Sequence, residues 1–89
     1  MKESLDQAQR IARSDPHLQA FDIHITGNEL RLAKGGESFA RLFQTEKEGY
    51  WRMEYFHNRE KWEHIDFVGT LEECLEFLSG NPHYLFWEG

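Results

Sequence analysis

Between Phe21 and Val68 the chain runs through five short stretches of alternating character, and the polar links between them are too short to hold a crossover helix. That spacing is the strongest constraint on the fold, because strands joined by tight links can only lie antiparallel to their neighbours. The first pair is the clearest. Phe21, Ile23 and Ile25 alternate with Asp22, His24 and Thr26; Gly27-Asn28 then supplies a tight turn, and Leu30 and Leu32 resume the alternation. Gly35-Gly36 breaks the pattern before a third strand, SFARLFQT. A fourth, YWRMEYFH, and a fifth, KWEHIDFV, follow across the links EKEG and NRE. In the fourth strand Trp51, Met53 and Tyr55 share one face and Tyr50, Arg52, Glu54 and Phe56 the other, and the first set is assigned to the core.

Helices flank these strands. In SLDQAQRIARSDP, Ser4 followed by Gln7 forms a capping-box pattern. Leu5, Ala8, Ile11 and Ala12 share one helical face, and Asp15-Pro16 ends the segment. In GTLEECLEFLSGNP, Thr70 with Glu73 forms a second capping box. Leu71, Cys74, Leu75 and Leu78 make the apolar stripe, Gly80 and Pro82 stop the helix, and Glu72, Glu73 and Glu76 are left facing solvent. The predicted architecture is one α+β domain over residues 1–89. It comprises an N-terminal helix, a five-stranded antiparallel meander and a C-terminal helix, with both helices on one sheet face and the other face open. The closing NPHYLFWEG leaves the second helix abruptly, and its Leu85, Phe86 and Trp87 are expected to dock on the domain as an aromatic lock.

Composition narrows function mainly by exclusion. Sixteen acidic residues against ten basic ones give a net charge of −6, which counts against nucleic acid as the main partner and favours a basic protein partner. Cys74 is the only cysteine. It rules out an internal disulfide and the usual structural zinc sites, and its place on the apolar stripe makes it a small core residue. No apolar run approaches a membrane-spanning length, and the N-terminus lacks the apolar stretch of a signal peptide, so a cytoplasmic protein without membrane contact is expected.

Nothing in the chain has a catalytic pattern. Ser4, Ser14, Ser38 and Ser79 sit in no Gly-x-Ser-x-Gly elbow, and KGGES lacks the Lys-Ser/Thr ending of a phosphate loop. His64 and Asp66 fall on one face of the fifth strand, about 6 to 7 Å apart, but two ligand-type residues make no metal motif, and a solvated strand face is the reading adopted. His24, His57 and His83 have no ligand spacing; the first belongs to the polar face of the hairpin and the second to a turn. No catalytic residue, cofactor or metal is therefore expected.

One grouping stands out as a candidate binding surface: Arg41, Arg52, Lys61 and Trp62, which adjacent third, fourth and fifth strands would gather on a sheet face. Cationic and aromatic groups so placed can stack on and neutralise single-stranded nucleic acid. Against that, residues 37–67 hold five Lys and Arg but seven Asp and Glu, and strand arginines commonly pair with glutamates on a neighbour, here Arg52 with Glu63 or Glu54 with Lys61.

Across the C-terminal half, Phe39 and Arg41 lead to Trp51, Met53 and Tyr55, then Lys61, Trp62 and Ile65, then Leu71, Leu75 and Leu78. Asn81-Pro82 and Phe86-Trp87 with Gly89 close the chain. From about residue 39 to 89 this series resembles a family of small bacterial proteins known as a domain of unknown function, DUF3024. It departs from that pattern in having Asn81 where the family has aspartate, Glu88 inserted before the last glycine, and His64 one place later. The resemblance implies a small bacterial α+β protein and carries no activity with it. The function expected is that of an acidic protein-binding module, accessory or regulatory in role, with single-stranded nucleic-acid binding as the alternative.

Overall fold

The computed structural model describes residues 1–57 and 61–85. Helix α1 (Lys2–Arg13) leads into strands β1 (Asp22–Thr26), β2 (Glu29–Lys34), β3 (Glu37–Gln44), β4 (Trp51–His57) and β5 (Lys61–Gly69). Helix α2 (Leu71–Gly80) and a 3-10 turn (Pro82–Leu85) follow. The strands pair antiparallel in chain order, β1-β2-β3-β4-β5, as the link lengths require. The β1–β2 turn is the two residues Gly27 and Asn28, with Gly27 at φ 62°, a left-handed conformation that costs a glycine nothing.

Alternation then sorts the sheet into two faces. Ile23, Leu30, Leu32, Ala40, Leu42, Met53 and Ile65 form a buried apolar surface, on which Ala8 and Ala12 of α1 and Leu71, Cys74, Leu75 and Leu78 of α2 pack. Trp51 joins this core, and Tyr55 lies half-buried at its margin. Two irregularities shape the sheet. One extra residue, Phe39, bulges from β3 where Ala33 pairs with Ser38 and Leu32 with Ala40; both Phe39 and Ala40 are thereby buried, and Phe39 meets Phe21 edge to face. A second shift inserts Asp66 and Phe67 between the pairs Met53–Ile65 and Arg52–Val68. Two extra residues preserve the alternation, so β5 keeps one face inward along its whole length.

Both helices lie on the inner face. Helix α2 begins as its sequence predicts. The Glu73 amide donates to the Thr70 hydroxyl at 3.2 Å, and the Thr70 amide donates to Glu73 Oε1 at 2.8 Å. Helix α1 does not. It starts at Lys2 with Met1 as its cap, no side chain caps it, and Ser4 lies inside the first turn. The Leu5 amide already donates to the Met1 carbonyl at 2.9 Å, so continuing the backbone ladder to the chain end displaces the capping box expected at Ser4 and Gln7. Between α1 and β1, Leu18 is fully buried. Asp15 Oδ1 accepts from the His17 amide at 2.8 Å and from the Ser79 hydroxyl at 2.9 Å, tying the end of α1 to the end of α2.

The segment after α2 packs back as expected for its first part. Leu85 is buried, and Tyr84 packs against Tyr55 and Phe77 with ring centroids 4.9 and 6.0 Å apart. Phe86 and Trp87, the rest of the expected lock, lie outside the described residues.

Candidate functional site

The face of the sheet turned away from the helices carries the one extended cluster of charged and aromatic side chains among the described residues. Its composition follows from the register. Glu29 and Arg31 alternate with the inward Leu30 and Leu32, Arg41 and Phe43 flank the inward Leu42, and Arg52, Glu54 and Phe56 interleave with Met53 and Tyr55. Trp62 pairs with Phe56 across β4 and β5, and their rings lie 5.0 Å apart.

These side chains interlock. The Arg41 guanidinium lies 4.2 Å from the Trp62 ring centre and 5.0 Å from that of Phe43, while Arg31 lies 5.4 Å from Trp62 and Arg52 4.4 Å from Phe43. Arg31, Trp62, Arg41, Phe43 and Arg52 thus form a ladder of alternating cations and rings that crosses four strands. Each contact contributes about 0.5 to 1 kcal/mol at an exposed site and more where water is excluded. Carboxylates fix the ladder from the sides. Arg41 donates to Glu54 Oε1 through Nε at 2.9 Å and Nη2 at 2.6 Å, and its Nη1 lies 3.7 Å from Glu29 Oε2. Arg31 Nε donates to Glu29 Oε1 at 2.6 Å. Glu29 is the one charged residue among the described residues that is buried, at 7% exposure, and two arginines hold it there. Arg52 is held least: among the described residues its one carboxylate contact is with Glu54 Oε2 at 3.5 Å, and its side chain is 42% exposed.

Of the four residues expected to form a binding surface, the structure brings together Arg41, Arg52 and Trp62 and leaves out Lys61. Strand alternation explains the difference. Lys61 shares the inward-facing parity of Glu63 and Ile65, and its Nζ lies 3.7 Å from Glu63 Oε1. The same parity overturns the expected ion pairs of Arg52 with Glu63 and of Glu54 with Lys61, whose members lie on opposite faces; Glu63 instead accepts the Tyr55 hydroxyl at 2.9 Å. That bond, together with burial, raises the Tyr55 pKa above its ordinary value. Glu29, Arg31, Phe43 and Phe56 were not singled out in the sequence. Their signal was present, since each flanks an inward leucine or tyrosine, but membership of one cluster depends on strand register.

Other chemistry-bearing groups are held in structural arrangements. Cys74 is fully buried, its thiol directed at the carbonyl oxygens of Trp51 at 3.5 Å and Gly69 at 3.7 Å, and burial pushes its pKa up to about 11. His17 Nδ1 lies 3.1 Å from the Ser79 hydroxyl oxygen, but that hydroxyl gives its proton to Asp15, so the imidazole faces an oxygen with no proton to offer a base. His64 and Asp66 are both exposed, and His57 ends strand β4, paired with Lys61, rather than lying in a turn. Among the described residues no group of three or more His, Cys, Asp or Glu side chains could hold a metal ion. No helix among them is long and apolar enough to cross a membrane. A cleft of about 280 Å³ beside α1 and β1 is lined by Arg13, Phe21 and Asp22, and Asp22 is the one carboxylate in its lining.

Fold and site together define a two-layer α+β protein whose uncovered sheet face is paved with arginine and aromatic side chains. The chain belongs to the family described as a domain of unknown function, DUF3024, which matches residues 7–88, so the likeness reaches well beyond the C-terminal half. Comparison with curated proteins and with solved structures finds no match.

Proposed function

We propose that this protein is an acidic, cytoplasmic protein-binding module, accessory or regulatory in role, which engages its partner through the open face of the sheet. The observation that carries this reading is the ladder from Arg31 to Arg52. Arginine and tryptophan are the residue types most often found at the energetic centres of protein interfaces. Here they are already held in place by rings and carboxylates, so docking a partner on them would cost little further side-chain entropy. On the opposite, helix-bearing side Glu72, Glu73 and Glu76 are exposed on α2, and this surplus negative charge would speed encounter with a basic partner.

A photo-crosslinking residue placed at Arg52 or Phe43 tests this in the native host. Adducts of defined mass should form from these positions and not from Glu72 or Glu76, and adducts that form equally from both sides would refute the assignment.

Single-stranded nucleic acid is the second reading, favoured by Trp62 lying against two arginines. Glu29 and Glu54 weigh against it, because they offset two of the three positive charges where phosphates would have to bind. Titration with single-stranded oligonucleotides at low salt should leave Trp fluorescence unchanged; saturable quenching would make nucleic acid the partner.

A further inference from the structure

The two edges of the sheet are treated differently. At β1 the carbonyl of Ile23 is capped by Gln9 Nε2 at 3.0 Å, and α1 packs alongside. Among the described residues strand β5 is the longest, with nine residues, and pairs only with β4. Its outward face presents Trp62, His64, Asp66 and Val68. Val68, at 56% exposure, is the most exposed large apolar residue among the described residues. His64 and Asp66 are exposed and make no ion pair or side-chain hydrogen bond among the described residues. An edge of this length that no other described strand pairs is a template for another strand.

The sequence of β5 is complementary to itself. Laid antiparallel on a second copy about its midpoint, Ile65, the strand places His64 opposite Asp66, Asp66 opposite His64, Trp62 opposite Val68 and Ile65 opposite Ile65, with Glu63 opposite Phe67 on the inner face. Lys61 then falls opposite Gly69, just before the acidic first turn of α2 with Glu72 and Glu73. This register overlaps all nine residues. Centring the pair on His64 instead sets Asp66 against Trp62, and centring it on Asp66 sets that carboxylate against its own copy. An imidazole directly across from a carboxylate can donate its N–H to it, whereas two carboxylates so placed repel.

We propose that two copies of this chain join through the outer edges of β5 in the register centred on Ile65. The two-fold axis that relates antiparallel neighbours stands perpendicular to the sheet. The product is one ten-stranded sheet with the helices of both copies on one side and both arginine ladders on the other. The inference does not rest on the proposed binding role of that open face. It accounts for Val68, His64 and Asp66, which that role leaves unused.

Sedimentation equilibrium on the full chain tests it. The wild type should move towards twice the 10.6 kDa chain mass as its concentration rises. His64→Asp sets aspartate against Asp66 twice in each dimer and should weaken association about tenfold or more. The double change His64→Asp with Asp66→His exchanges the partners and should restore the dimer. A monomer mass for the wild type at all concentrations would overturn the proposal. So would a dimer that the single change leaves intact, or one that the double change fails to restore while circular dichroism shows a folded chain.

Discussion

Arg41 is gripped by two rings and two carboxylates, and this grip decides what its loss would do. Arg41→Ala leaves Glu29 buried with a single cation beside it and Glu54 without its two-pronged donor. The expected loss is about 1 to 3 kcal/mol, discounted for the partial exposure of Glu54, and chemical denaturation would measure it. Cys74 shows the opposite economy, a polarisable group used as a small apolar one. Its thiol is raised from 9.0 to about 11, so between these values the unfolded chain gives up a proton that the folded chain keeps. Stability should therefore hold below about pH 9 and fall as pH rises towards 11, with Tyr55 adding to the loss in the same direction. The alkaline loss should reach about 2 kcal/mol and shrink in Cys74→Ala, which pH-dependent melting would reveal. The buried role of Cys74 was legible in the sequence because helical spacing places it on the leucine stripe. The burial of Glu29 was not, since no local pattern announces two arginines arriving from neighbouring registers.

At the scale of elements, the passage from β5 into α2 is closely packed around Gly69. Gly69 is buried there, and a Cβ on it would stand 2.8 Å from Glu73 Oε1 and 3.1 Å from a ring carbon of Phe67. Glu73 must reach back over Gly69 to accept the Thr70 amide, so the capping box and a side chain at position 69 compete for the same space. Gly69→Ala should lower stability by about 1 kcal/mol or more through the lost cap, whereas Gly80→Ala, with open space around it, should not. Melting of the two variants side by side would check this. The strands and α2 could be read from periodicity because each buries one face of a regular pattern. The start of α1 could not, because backbone hydrogen bonding to Met1 outweighed a side-chain cap. The Phe39 bulge and the two-residue shift in β5 also escaped the sequence, since alternation survives on either side of them.

For the molecule as a whole, the sheet divides its work between its faces. The inner face holds both helices and the turn after α2, where Tyr84 and Leu85 pack against the core. Deleting residues 84–89 removes both, and the truncated chain should melt well below the full chain or aggregate; an unchanged melting temperature would free this segment for another role. Among the described residues the outer face carries no second layer of structure, and the arginine ladder lies where such a layer would pack. Whether that ladder merely shields the sheet or also binds a partner is the central question, and Arg52 separates the two answers. It is the most exposed rung, with its single carboxylate contact at the limit of bonding distance, so Arg52→Glu should change stability by less than about 1 kcal/mol. The decisive measurement is cross-linking from Phe43 in the native host with and without that change. A folded Arg52→Glu protein that loses the adduct formed by the wild type is the result predicted here; an adduct that persists undiminished would contradict a binding role for the open face.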